Sequence, residues 1–274
     1  MLQLIKKSMC CSYAMISAIG MILSIFGYNI RDLYPGQIWW VYVVCLLIFW
    51  IVLTSILFLL IYCYKEAMKH KPYETEINGK SVNIKVGDIF REIGLKVIPF
   101  NEKYDTKVDD VIISHNSLNG IMIDRYVKNL NELNETIKSD ANKSLSPLKM
   151  MIKDEMKVYP LGRIIRYNDF LMVAFSHFDK QNRAYISFDE YEQVLFRMWS
   201  ELRRVYAGKP IVLPLLGGGI TTINEVTEKN YTELLKCILC TLRSSRFMPI
   251  KGISIVMPLD VMKKIDMNLI RKEF

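Results

Sequence analysis

The hydrophobic and polar positions of this chain fall into two regimes. From Ser8 to Ile30 no residue is charged, and from Ile38 to Tyr64 none is either. As a helix the first run reaches about 34 Å, against a hydrocarbon core of about 30 Å. The second is longer and richer in Leu, Ile, Val and Phe, so it must tilt or protrude. The pattern predicts a transmembrane hairpin over 1–64, with spans at about 8–30 and 38–64. Arg31-Asp32-Leu33-Tyr34-Pro35-Gly36 is the polar turn between them. Trp39, Trp40 and Tyr42 mark one interface, Tyr62 and Tyr64 the other. Lys6 and Lys7 precede the first run; Lys65, Lys69 and Lys71 follow the second. Positive-inside bias therefore puts both termini in the cytoplasm of an inner-membrane protein. A cleaved signal peptide is disfavoured, because a second apolar run follows at once.

Beyond a polar linker at 65–80, a body at 81–274 alternates strand-like and helix-like runs. Ser81–Val86, Leu95–Pro99 and Val111–Ser114 are short apolar runs, and Arg163–Tyr167 with Phe170–Phe175 reads as a hairpin around Asn168-Asp169. Residues 129–146 are rich in Asn, Lys and Ser and read as an insertion or loop. Tyr191, Val194, Leu195, Met198, Leu202 and Val205 recur at helical spacing and predict a helix over Phe188–Tyr206. Ile211–Leu216 reads as a strand covered on both faces. A helix is expected from about Thr222 to Arg246, opened by a Thr222-Ile223-Asn224-Glu225 capping box. A last strand at Gly252–Met257 and a last helix from Leu259 complete an α/β domain with helices on both sides of a mixed sheet.

Composition sharpens this division. Residues 1–64 carry four charges, Lys6, Lys7, Arg31 and Asp32, and the remainder carries 33 basic and 27 acidic groups. An apolar fraction of 51% excludes intrinsic disorder. The +6 body has only Arg203-Arg204 and Lys263-Lys264 as local basic pairs and no aromatic-basic RNA motif, so no nucleic-acid partner is expected. Cys237-Ile-Leu-Cys240 lies in an apolar helical pattern without a second cysteine pair, so packing is expected there and neither zinc nor redox chemistry.

Two segments carry candidate chemistry. Pro214-Leu215-Leu216-Gly217-Gly218-Gly219-Ile220-Thr221-Thr222 joins a buried strand to the expected helix start. Three glycines expose backbone N–H groups, a combination that cradles phosphate or pyrophosphate. It is no Walker A loop, because no Lys-Ser or Lys-Thr follows the glycines. Its alternative reading is a plain tight turn. The second segment, Ile84-Lys85-Val86-Gly87-Asp88-Ile89-Phe90, ends a strand in a carboxylate suited to an adenine amino group, or to a solvated turn.

Gly87-Asp88-Ile89 after a strand and the Pro214–Ile220 loop resemble the early Gly-Asp-Ile and the phosphate loop of macro domains, which bind ADP-ribose. The resemblance spans roughly 80–274 and implies a three-layer α/β/α domain. It places Asp88 and Ile89 at the adenine and Gly217, Gly218, Gly219, Ile220 and Thr221 at the pyrophosphate. Asn101, Ser117 and Gly120 would lie on loops facing the distal ribose. Hydrolytic macro domains carry an Asn-Ala-Ala-Asn stretch; here that region reads Pro99-Phe100-Asn101-Glu102-Lys103-Tyr104-Asp105-Thr106, which favours binding without turnover. A membrane-tethered ADP-ribosyl hydrolase is the alternative, and His115 and His177 are further candidates.

Two spans before a divergent macro domain are similar to the membrane effectors of type II Thoeris antiphage systems. That resemblance implies a signal made by a partner TIR-domain enzyme, histidine-ADP-ribose or another ADP-ribose derivative. It also implies homo-oligomerisation and membrane disruption as the response, with no resident cofactor, metal or catalytic residue.

Overall fold

The computed structural model describes residues 2–25, 39–69, 72–143, 146–153, 156–224, 228–247 and 249–274. The chain divides into two units, Met1–Lys71 and Pro72–Phe274. The first contains helices α1 (Leu2–Ile25) and α2 (Trp39–Lys69), which pack on each other. Ser12 Oγ and Thr54 Oγ1 meet across them at 2.8 Å. Among the described residues one helical stretch, Val43–Tyr64, is long and apolar enough to cross a bilayer, with a mean hydropathy of 3.0. Its Leu47, Ile51, Leu59 and Leu60 face outward. The apolar stretch of α1, Met9–Met21, is shorter than a bilayer core requires. The expected first span of 8–30 and the Arg31–Gly36 turn run into residues outside those described, and among the described residues the structure supports one membrane-length helix.

Among the described residues, eleven strands lie in the second unit. They are β1 (Tyr73–Ile77), β2 (Lys80–Val86), β3 (Leu95–Asn101), β4 (Met151–Lys153), β5 (Met156–Val158) and β6 (Ile164–Tyr167). After them come β7 (Phe170–Phe178), β8 (Ala184–Ile186), β9 (Ile211–Pro214), β10 (Thr222–Ile223) and β11 (Ile253–Met257). Its helices are α3 (Leu118–Tyr126), α4 (Leu130–Lys143), α5 (Phe188–Val205), α6 (Tyr231–Ser245), α7 (Leu259–Met262) and α8 (Met267–Glu273). The main sheet runs β1-β2-β11-β9-β3-β7-β8-β10, with β6 also on β7. Strands β2, β11, β9, β3 and β7 are mutually parallel, and β1, β6 and β8 pair antiparallel. Every residue of β9 is buried, as a parallel strand covered on both faces must be. The sheet is mixed and the class is α/β, as the alternation of runs predicts.

Four local expectations change. The 65–80 segment is not a free linker: α2 continues to Lys69, and β1 pairs with β2 from Tyr73. The polar 129–146 stretch is largely helix α4, because Leu133 and Ile137, four apart, bury one face while Asn129 Oδ1 accepts the N–H groups of Asn131 and Glu132. The helix expected from Thr222 begins at Tyr231, capped by Asn230 onto the Glu233 N–H at 3.2 Å. Thr222 and Ile223 are strand, hydrogen-bonded in register with Tyr185 and Ile186. The last helix is two, separated by Lys263–Asp266, with Asp266 capping the second. The β6–β7 hairpin forms as expected, because Asn168 takes the left-handed conformation, φ 53°, that its turn requires.

Residues 130–167 are held to α5 by buried charge. Arg163, 2% exposed, pairs with Asp140 of α4 and lies 3.7 Å from Glu201 of α5. Glu201 in turn accepts from Ser146 Oγ at 2.6 Å and Arg204 at 2.9 Å. Cys237 and Cys240 are free thiols on α6, and burial pushes the Cys237 thiol up to about 11, which suits packing and disfavours a reactive thiolate.

Candidate functional site

Parallel strands that run together end together, and in open α/β sheets their carboxyl ends frame ligand crevices. Here a cleft of about 930 Å³ opens at that edge. Gly87–Phe90 follow β2, Pro99–Asn101 close β3, Pro214 ends β9 with Leu215–Thr222 after it, and Val256 and Met257 end β11 with Pro258 after them. The loop before α3 and the first turn of that helix form the facing wall with Asp110–Ser114 and Asn116–Asn119, and the β7–β8 turn adds Gln181, Asn182 and Arg183.

The glycine loop is shaped by its neighbours. Gly217 sits at φ +79°, a left-handed backbone open to glycine, and a Cβ there would stand 3.2 Å from the Tyr191 ring. The buried Tyr191 hydroxyl donates to the Leu216 carbonyl at 3.0 Å and fixes the loop's start. Gly218 N–H is spent on the turn, donating to Leu215 O at 3.0 Å. Among the described residues no protein acceptor meets the N–H groups of Gly219 and Ile220, and a Cβ on Gly219 would meet open space. Lys229 Nζ donates to the Gly219 carbonyl. No helix opens at the loop's end, where β10 follows, so the expected helix-terminus charge is absent there.

The facing wall is fixed by side chains that bind its backbone. Asp109 Oδ1 accepts from Val111 and Ile112, and these N–H groups, with Lys107, hold its carboxyl down at about 2. Asp110 accepts from His115 N–H at 3.0 Å. Ser117 caps α3 through Gly120 N–H at 3.1 Å while donating to Ser114 O at 2.6 Å.

This arrangement, a glycine loop after a buried parallel strand facing a Gly-Asp-Ile turn, coincides with a family match. Residues 82–258 match the model described as "Thoeris protein ThsA, Macro domain". The chain belongs to the Thoeris ThsA macro-domain family. The curated Thoeris protein ThsA of Bacillus amyloliquefaciens (strain Y2) is 38% identical over 176 residues, spanning 62% of this chain and 59% of that relative. A mutant Oceanobacillus iheyensis macrodomain with ADPR aligns at 15% identity and TM-score 0.48, covering 74% of this chain and 99% of that one. The Oceanobacillus iheyensis macrodomain with ADP aligns at 14% identity and TM-score 0.46, covering 74% and 98%.

Within this macro domain the expected site residues separate. Asp88, Ile89, Gly217, Gly218, Gly219, Ile220 and Thr221 line one cleft with Asn101 and Ser117. Asp88 also starts a 3-10 turn, accepting from Phe90 N–H at 3.0 Å, and its side chain stays 52% exposed. Asn101 is 3% exposed and heavily engaged: its carbonyl oxygen accepts from Lys103 and Asp105 N–H groups and its amide donates to Asp105 at 2.6 Å. Gly120 does not line the cleft; a Cβ there would stand 2.1 Å from the Ser114 carbonyl, so it is a packing glycine. His115 and His177 do not line it either. His115 pins the wall to α3 through Asp124 at 2.6 Å, which raises its pKa. His177 lies between Glu102 at 2.7 Å and Glu190 at 3.1 Å, and the Glu102 hydrogen bond foremost raises its pKa against burial. Sequence reasoning missed Arg125, Phe178 and the β7–β8 turn, whose only local signal was Gln181-Asn182 between two strands.

Proposed function

We propose that this macro domain is the ligand-sensing part of a Thoeris membrane effector and binds an ADP-ribose-type signal in the cleft. The observation that carries the reading is the N–H pair of Gly219 and Ile220, which meets no protein acceptor among the described residues, on a glycine loop that lines the cleft at the carboxyl edge of the sheet. Free backbone donors without side-chain hindrance suit a pyrophosphate. The Asp88 turn offers a half-exposed carboxylate to an adenine amino group, and the Asp110–Asn119 wall takes the distal ribose and its substituent. The substituent we favour is histidine, attached by a partner TIR-domain enzyme. Asn101 is engaged in its own turn, which favours sensing over hydrolysis.

In this reading ligand binding drives self-association, and assembled apolar helices then disrupt the inner membrane. The outward apolar face of Val43–Tyr64 supports membrane insertion. One or two helices per chain cannot enclose a pore, so damage requires an oligomer. The test is calorimetry on the full chain in nanodiscs, titrated with ADP-ribose and with histidine-conjugated ADP-ribose, alongside sizing in detergent. Tight binding of the conjugate with a ligand-driven size increase is expected. Binding of neither ligand removes the reading. Release of free ADP-ribose at catalytic turnover replaces it with a tethered hydrolase.

A further inference from the structure

The glycine loop lacks both usual sources of positive charge: no lysine follows the glycines directly, and no helix begins at its end. A cation reaches it from further along the chain. Lys229 precedes the α6 cap, and its ammonium donates back across ten residues to the Gly219 carbonyl. Among the described residues no carboxylate lies within ion-pair reach of it. Burial also lowers its pKa, as expected of an ammonium held partly out of water.

A trans peptide points its C=O and the next N–H in opposite directions. Fixing the Gly219 carbonyl on Lys229 therefore turns the Ile220 N–H the other way. Gly219 and Ile220 both line the cleft, and among the described residues the Ile220 N–H meets no protein acceptor. The same contact sets a full positive charge directly behind the donor peptide. We propose that Lys229 is the positioning cation of the anion site, orienting the Gly219–Ile220 peptide and supplying the charge that binds the phosphate-bearing portion of a nucleotide ligand. The inference rests on the proposed use of the cleft. It differs from a Walker lysine in acting through the backbone.

The prediction is selective. Lys229→Met should weaken ADP-ribose or its histidine conjugate about tenfold or more, the scale of a charge-assisted contact. Adenosine, which has no phosphate, should bind the variant as it binds the wild type. Lys229→Arg, which keeps the cation and a donor, should recover most of the loss. The experiment is calorimetry on the full chain in nanodiscs with these three titrants, with thermal unfolding run alongside, and Lys229→Gln as a second neutral variant. Equal affinity of wild type and both neutral variants for the phosphate ligands overturns the inference while leaving the cleft reading intact. Parallel loss of adenosine and phosphate ligands overturns it too, since that marks a merely structural role. Failure of the wild type to bind any titrant overturns the cleft reading itself.

Discussion

Replacing Gly219 by glutamate separates the anion-binding role of the glycine loop from its folding role. A Cβ at Gly219 meets no atom within 4 Å, and its backbone lies outside the left-handed region. Its neighbours offer no such freedom: Gly217 is left-handed against Tyr191, and a Cβ on Gly218 would stand 3.0 Å from the Leu215 carbonyl oxygen. A glutamate at 219 brings a carboxylate to the phosphates without rebuilding the loop. At about 5 Å and an effective dielectric of about 20, each like-charge pair is unfavourable by about 3 kcal/mol. A pyrophosphate presents two charges, and solvent at the open mouth screens part of the sum. A net penalty of about 3 kcal/mol is left, a loss of more than about 100-fold in affinity. Gly219→Ala supplies the control and should stay within about threefold, like other substitutions into open space. Calorimetry with the phosphate-bearing ligands reads the affinities, and thermal unfolding of the same samples reads the fold. Unchanged affinity in Gly219→Glu, with unchanged unfolding, would falsify the assignment of this loop to the phosphates.

Two further predictions concern the frame around the cleft. Arg163→Met should leave the partly buried Asp140 carboxylate without its cation and the buried Glu201 with Arg204 alone, destabilising the domain by about 3 kcal/mol and lowering its melting temperature by about 10 °C; an unshifted near-UV melting curve would show that this network holds nothing. His177 has a raised folded pKa, so its contribution is complete below its unfolded value of about 6.5 and fades as pH rises through the folded one. Melting temperature should therefore fall as pH is raised through neutrality. His177→Gln, facing the same Glu102, Glu190 and Tyr185, should flatten that slope; an equally steep slope in the variant would assign the effect to another group.

Much of the architecture was legible because its signals are local and periodic. The stripe from Tyr191 to Leu202 is a helix with one buried face, and the continuous apolar run at Ile211 is a central strand. The 222–246 segment misled because Thr222-Ile223-Asn224-Glu225 has the residues of a capping box but not its setting. The β8 edge, supplied by a hairpin some forty residues earlier, captures Thr222 and Ile223 as a strand first. The capping box that does form, Ser187 with Glu190, opens α5 directly after β8. Helix α4 was hidden by composition: Leu133 and Ile137 suffice to bury one face, but polar residues surround them.

The candidate site divides along a similar line. A glycine loop shows itself in sequence, because glycine takes the left-handed φ of Gly217 against the Tyr191 ring without strain and leaves the approach to Gly219 clear of any side chain. A side chain carries no such mark. Asn101 and Ser117 are polar and line the cleft, yet their nearest partners are their own chain neighbours, Lys103, Asp105, Ser114 and Gly120. These bonds shape the cleft's walls and leave little donor capacity for a ligand. Lys229 is the converse case. It stands ten residues beyond Gly219, past β10 and outside any motif, and only the fold returns its ammonium to the loop. If recognition resides in backbone donors and a cation behind them, substitutions along the walls should change how well the cleft is built, seen first in melting temperature. Substitutions at Gly219 and Lys229 should change what it binds.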